Sequence, residues 1–303
     1  MINITNEDNN IDLFGDEVIL DKTLSEKYFT PPMTVLNSRL GKWQNRKRWW
    51  KSLGIQSEIG RDTRKDKSET GNLVDKNYGK NFNYNTIGTN QTTSIFDPVL
   101  CELMYTWFCG VGGNILDPFA GGSVRGIVAN KLGYNYTGIE MRQEQVDSNR
   151  IQSLDILQVN NQPQWYVGDS NIILNEISKE YDMLFSCPPY ADLEVYSKID
   201  GDISNMNYSD FIVAYQSIIK KSVNKLKPGG FAVFVVGEVR DKQGYYYGFV
   251  PDTVKCFQNA GCKLFNEAIL LTPIGTKCLT VESGWKNKKL GKVHQNVLVF
   301  KKP

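Results

Sequence analysis

The texture of the chain changes near residue 94. Upstream, residues 1–30 are polar with no clear period, and residues 57–91 are rich in Asn, Lys, Asp, Gly and Thr. These stretches read as a peripheral arm and a long loop. Downstream, short apolar runs alternate with helical-period segments. "FDPVLCELMYTWFC" places Val99, Leu100, Leu103, Met104 and Trp107 at helical spacing. "NILDPFAGGS" reads as a strand entering a glycine turn. "VRGIVANKLG" reads as a helix closed by Gly133. "NYTGIE" is a short strand, "RQEQVDSNRIQSLDIL" a helix, "WYVGDS" a strand, and "YDMLFS" another that stops at Cys187-Pro188-Pro189-Tyr190. "SDFIVAYQSIIKKSVNKL" aligns Phe211, Ile212, Tyr215, Ile218, Ile219, Val223 and Leu226 on one helical face. "KPGG" reads as a turn into "FAVFVVGEV", an unbroken apolar run typical of a strand covered on both faces. "PDTVKCFQNAG" completes the helices, and "FNEAILLTP" with "HQNVLVFKK" predicts a final antiparallel pair. Such βα alternation predicts a doubly wound α/β sheet, with a boundary between an extension, 1–91, and a main domain, 92–303.

Composition narrows this picture. A chain of 303 residues with 41% hydrophobic content is long enough for one large α/β domain or two small ones. The net charge is only +2, so any nucleic-acid surface must come from local clustering. One cluster is clear: Arg39, Lys42, Arg46, Lys47, Arg48 and Lys51 interleave with Trp43, Trp49 and Trp50. That pattern suits phosphate contact with stacking. It equally suits an amphipathic helix whose tryptophans pack on the main domain. Arg61, Arg64, Lys65 and Lys67 extend the run, and Lys286, Lys288, Lys289 and Lys292 form a second cluster. Six cysteines contain no C-x-x-C pair, and His294 is the sole histidine. A zinc site and a Ser-His-Asp hydrolase are therefore both disfavoured, and no metal is expected. Free thiols without a signal peptide predict a cytoplasmic setting, and no apolar run has transmembrane length.

Candidate chemistry collects where strands should end, the place where open α/β sheets bind ligands. Asp117-Pro118-Phe119-Ala120-Gly121-Gly122 forms a glycine turn at a helix start, where backbone can approach a ligand closely. Glu140 follows Gly122 at the spacing of a ribose-binding acid. Asp169, after Gly168, offers an acceptor for an adenine amino group. Each alone also fits a tight turn or a solvated carboxylate. Together they describe an adenosine pocket, without separating a nicotinamide cofactor from S-adenosylmethionine. The Cys-Pro-Pro-Tyr corner separates them. A dehydrogenase has no use for it. An exocyclic base amine is a poor nucleophile, and a rigidly held carbonyl that accepts its hydrogens localises the lone pair. The ring of Tyr190 can stack on a base swung out of a duplex.

With these residues in view, the chain resembles the S-adenosylmethionine-dependent DNA amino-methyltransferases that act on N6 of adenine or N4 of cytosine. "DPFAGGS" resembles that family's motif I, and Glu140 and Asp169 match its acidic positions. "SCPPY" resembles its catalytic motif, and "SIFDPVLCELMYTWF" resembles the motif that contacts the methionine part of the cofactor. The resemblance covers about residues 90–302. The wider block from "TPPMTVLNSRLGKWQ" to "KLGKVHQNVLVF" is similar to DNA methylases carried by bacteriophages. The resemblance implies a class I methyltransferase fold (Rossmann-like, seven strands) and S-adenosylmethionine as cofactor. It implies cofactor contacts by Phe96, Asp97, Asp117, Pro118, Phe119, Ala120, Gly121, Gly122, Glu140, Asp169 and Ser186. Cys187, Pro188, Pro189 and Tyr190 become the catalytic corner. Double-stranded DNA becomes the partner of a monomer or homodimer, with Arg39, Lys42, Trp43, Arg46, Lys47 and Arg48 against it. One position departs from the family: Cys187 stands where Asp, Asn or Ser is usual, and a thiol is a weak acceptor. The Pro188 carbonyl, Ser186 or a nearby acid such as Asp192 or Glu194 then takes up that contact. A covalent role for Cys187, an RNA substrate, and a non-catalytic DNA-binding subunit remain alternatives, and the target base stays open between adenine and cytosine.

Overall fold

A computed structural model describes residues 29–55, 95–189, 202–274 and 277–303. One sheet runs through them. Its strands are β1 (Val35–Asn37), β2 (Asn114–Asp117), β3 (Asn135–Glu140), β4 (Gln164–Val167), β5 (Tyr181–Ser186), β6 (Leu226–Val236), β7 (Lys263–Leu271) and β8 (His294–Lys301). The helices are α1 (Gly41–Ser52), α2 (Pro98–Phe108), α3 (Val124–Lys131), α4 (Gln143–Ile156), α5 (Ser170–Glu176), α6 (Tyr208–Lys225), α7 (Phe249–Asn259) and α8 (Lys277–Lys286).

The spatial order is β1-β7-β8-β6-β5-β2-β3-β4. All neighbours are parallel except β8, which runs antiparallel to both β6 and β7. With β1 set aside, the remaining seven strands have the order and the single reversed strand of the class I methyltransferase fold. The eighth strand corrects the expected count of seven. It was illegible because only Leu36 of its three residues is buried, which leaves no period to read. It also ties the predicted N-terminal extension into the sheet, through Leu36 paired with Leu270.

The alternation along central strands decides the two cores. Met183, Phe185, Val233 and Val235 face the layer that contains Trp43, Trp50, Leu100, Met104, Tyr105 and Ile127. Leu184, Ala232, Phe234 and Val236 face the layer with Phe211, Tyr215, Ile218, Phe249 and Phe257. Each strand thus buries both faces, with a side-chain period of two. Asp97 caps α2 by accepting from the Val99 amide at 3.0 Å, and Pro98 occupies the first helical position. The "KPGG" segment, expected as a turn, lies within β6. Leu226 pairs with Tyr181 and Phe231 with Met183, so residues 227–230 bulge opposite Asp182.

From β2 the chain winds outward through β3 and β4, then returns to β5 on the other side. The reversal falls between β2 and β5. This is the switch point at which ligands enter such sheets, beyond the carboxyl ends of the strands.

Candidate active site

A cavity of about 670 Å3 opens at that switch point. Such a volume lies within the range of about 300–1,000 Å3 common for small-molecule sites. Four consecutive sheet positions supply its floor. The turn after β2 contributes Pro118, Phe119, Gly121 and Gly122. Glu140 comes from the end of β3, Gly168 and Asp169 from beyond β4, and Cys187, Pro188 and Pro189 from beyond β5. Phe96 and Asp97, at the start of α2, complete the wall. Residues distant in sequence, but read there as one site, therefore share one cavity.

Three residues named as cofactor contacts lie beneath the cavity instead. Asp117, Ala120 and Ser186 are each 0% exposed and do not line it. The carboxylate of Asp117 is saturated. It accepts from Arg125 Nε at 2.5 Å and the Tyr136 hydroxyl at 2.7 Å on one oxygen. Its other oxygen accepts from the Ser186 hydroxyl at 2.5 Å and the Phe119 amide at 3.1 Å. Arg125, 5% exposed, also donates to the carbonyls of Phe119 and Ala120 at 2.5 and 2.7 Å. One buried ion pair thus fastens the glycine turn to the end of β5. Burial opposes the charge on Arg125, but Asp117 and Tyr136 outweigh it and hold the guanidinium above its ordinary pKa. Burial and the Asp117 charge likewise push the Tyr136 phenol well up. The Ser186 hydroxyl is committed to this network rather than to a target amine.

Arg125 escaped the sequence reading. Its signal was present: a lone charge within the apolar "VRGIVA" run that opens α3. Asn149 was missed as well. Its amide donates to the Gly121 carbonyl at 2.8 Å. The buried face of α4 is mostly polar, with Gln145, Ser148, Asn149, Gln152 and Ser153, so hydrophobic periodicity could not reveal it.

Glu140 supports the turn from the other side. Its two oxygens accept from the Gly121 and Arg142 amides, each at 3.0 Å, and Arg142 Nε lies 3.4 Å away. Asp169 caps α5 with one oxygen, accepting from the Asn171 amide at 2.8 Å. Gly168 holds φ at 141°, which favours glycine where the chain leaves β4. Gly138, inside β3, is required by close packing. A Cβ there would meet the Ala120 Cβ at 2.8 Å and Tyr136 at 2.8 Å.

Pro188 is buried, while Cys187 and Pro189 are half-buried in the cavity wall. Nothing in the structure explains why a cysteine occupies position 187. Tyr190, Asp192 and Glu194 lie outside the described residues, as do Arg61, Arg64, Lys65 and Lys67.

The basic-aromatic segment forms α1 and divides by face. Trp43 and Trp50 are 3% and 0% exposed. Arg46 makes a two-pronged ion pair with Glu102 of α2, at 2.9 and 2.7 Å, and Trp50 Nε1 donates to the same carboxylate at 2.7 Å. Trp43 Nε1 and Lys47 Nζ both reach Asp97, at 3.2 and 3.0 Å. Arg39 donates to the Thr272 carbonyl at 2.8 Å. Lys42 and Arg48 are exposed. Trp43, Arg46, Lys47 and Trp50 thus dock α1 on α2 and its cap residue Asp97. Among the described residues, no helix is long and apolar enough to cross a membrane, and no cluster of metal-ligating side chains occurs.

No protein-family model and no curated protein sequence matches the chain. Solved structures do. TrmN from Thermus thermophilus is 15% identical with a TM-score of 0.47, over 69% of this chain and 49% of its own. The chain therefore spans about half the length of that protein. Magnesium protoporphyrin IX methyltransferase (ChlM) from Synechocystis, solved with bound S-adenosylmethionine, is 12% identical with a TM-score of 0.45, over 68% and 79%. A TehB-like S-adenosylmethionine-dependent methyltransferase from Corynebacterium glutamicum is 17% identical with a TM-score of 0.42, over 70% and 90%.

Proposed function

We propose that the chain binds S-adenosylmethionine in this cavity and transfers its methyl group to an exocyclic amine, adenine N6 or cytosine N4, of a base in double-stranded DNA. One observation carries the reading. The strand β5 runs into Cys187-Pro188-Pro189 in the wall of the same cavity that Glu140 and Asp169 line.

The donor set fits the cofactor. A carboxylate offers about four acceptor positions. Glu140 accepts from the Gly121 and Arg142 amides and lines the cavity, where a carboxylate suits the hydroxyls of a ribose. Asp169 spends one oxygen on its helix and keeps the other for an adenine amino group. When bound, the sulfonium supplies an electrophilic methyl group. The chain's own work is then to hold the amine in line, which is a matter of positioning. The Pro188 carbonyl accepts an amine hydrogen, and the rigid Pro-Pro backbone keeps that acceptor fixed as the nitrogen lone pair turns toward the methyl. Tyr190 stacks on the extruded base.

A basic corner beside the cavity supports the choice of nucleic acid. The loops after β6 and before β8 leave the same sheet edge as β5, since Ser186 pairs with Phe234 and Val236 with Asn296. They meet where Lys289 packs on Gly244: a Cβ there would lie 2.5 Å from Lys289 Nζ. This gathers Arg240, Lys242, Lys288, Lys289 and Lys292 with the exposed Tyr245, Tyr246 and Trp285. Phosphate contact and stacking are what such a surface offers. The test is transfer of tritiated methyl from S-adenosylmethionine to duplex DNA and, in parallel, to RNA of matched sequence. Label in DNA supports the proposal. Label in RNA alone, or none in either while the cofactor binds, overturns it.

A further inference from the structure

We propose that Lys47, with Asp97, forms a subsite for the zwitterionic amino-acid end of the cofactor. This rests on the cofactor reading above and assigns α1 a role in small-molecule binding rather than DNA contact.

The cavity has a direction. Asp169 and Glu140 mark its β4–β3 end, the adenosine end. The opposite end lies over β2 and β5. There Phe96 packs edge-on against Phe185 of β5, with ring centroids 5.9 Å apart, and Arg125 sits 4.8 Å above the Phe96 ring. Asp97 follows Phe96, and Lys47 reaches over from α1 to the same end of the cavity. A ligand with its adenosine over β3 and β4 therefore brings its amino acid to this pair.

The pair is built for both charges of an amino acid. Lys47 Nζ spends one of its three donors on Asp97, at 3.0 Å, and has two more for a carboxylate. Asp97 accepts three hydrogens, from Val99, from Lys47 and from a Trp43 N–H shared between its two oxygens, which leaves about one of its four acceptor positions for an ammonium. Both side chains are mostly removed from water, at 24% and 13% exposure, so their fields are less screened than at an open surface. Trp43, one helical turn before Lys47 on α1, is buried and bonded to both Asp97 oxygens at 3.2 Å. It braces the carboxylate, and α1 thereby presents Lys47 at a fixed height.

The test compares two ligands that differ only at this end: S-adenosylhomocysteine, which carries the amino acid, and methylthioadenosine, which does not. Affinities are measured by calorimetry on the full chain and on Lys47→Met, which keeps an unbranched aliphatic side chain and removes the charge. Loss of a charge-assisted hydrogen bond corresponds to a drop of about tenfold or more. Lys47→Met is expected to weaken S-adenosylhomocysteine by that factor and to leave methylthioadenosine unchanged. Loss of less than about twofold for S-adenosylhomocysteine would overturn the assignment, and so would an equal loss for both ligands, which would mark a general shift of α1. If the unmodified chain binds neither ligand, the cofactor reading itself fails, and this one falls with it.

Discussion

Breaking the Asp117–Arg125 pair should cost more stability than any other single change at the site. The pair is buried, with the Asp117 side chain 0% and the Arg125 side chain 6% exposed. Substituting Asp117→Asn removes the charge and leaves the Arg125 guanidinium buried without its counter-ion. Removing one partner of such a pair typically costs about 3–5 kcal/mol. In chains of 150–250 residues each kcal/mol shifts Tm by about 2–4 °C, so the lower end of the cost corresponds to a fall of about 6–12 °C on that scale. Arg125→Met should cost a comparable amount, since it strands the carboxylate. The double variant removes both charges and should be less destabilised than the sum of the two, with a coupling of about 1–3 kcal/mol. Urea unfolding followed by circular dichroism measures all four chains. If Asp117→Asn stays within about 1 kcal/mol of the parent, or if the two changes simply add, the network does not fasten the turn to β5 as argued.

Three further outcomes follow from the packing and the titrating groups. Gly138→Ala should destabilise by about 1–3 kcal/mol and weaken S-adenosylhomocysteine, because the new methyl displaces Ala120 of the glycine turn; unchanged melting and affinity would contradict this. Burial lifts the thiols of Cys109 to about 12 and of Cys256 and Cys262 to about 11, and lifts Cys101 well above its ordinary value. These four stay protonated near neutrality, so peptide mapping after iodoacetamide should find half-buried Cys187 modified first among the described thiols, and S-adenosylhomocysteine should slow it. Asp182 bonds the Asn114 amide at 2.8 Å and Lys227 at 2.6 Å. Partial burial opposes its charge, but those two partners hold its carboxyl below the usual 3.8. A depressed folded-state pKa gives stability that is full above the unfolded value and is lost as pH falls through the folded one. Asp182→Asn should therefore melt lower than the parent at pH 7 and converge with it as the pH falls below 3.8 and through the folded-state pKa, a convergence that thermal scans would reveal or refute.

The cavity floor was legible in the sequence because strand-end chemistry is local. Glycines, an acid about twenty residues on, and a Pro-Pro stop each leave a mark in a few residues, and the fold carries them to one place. The central strands β5 and β6 were legible because both of their faces are apolar and buried. What stayed hidden depends on contacts across long separations. β1 is too short to show a period, and only pairing with β7 reveals it. Asp117 reads as a ligand contact, yet Tyr136, Arg125 and Ser186 converge on it from three other elements. The sequence left the basic α1 open between a DNA surface and a helix packed on the main domain, because charge is visible in a sequence while the partners Glu102 and Asp97 lie about fifty residues away. The short α5 carries only one strongly buried apolar side chain, Leu174, so its helix went unread.

The central claim, methyl transfer to an exocyclic amine of DNA, is tested most directly by mass spectrometry of nucleosides. The DNA should come from a host without DNA methylases of its own, expressing either this chain or Tyr190→Ala. The account predicts N6-methyladenine or N4-methylcytosine in the first and its loss in the second. Unmodified DNA from the first, or methylation confined to carbon five of cytosine, would contradict it.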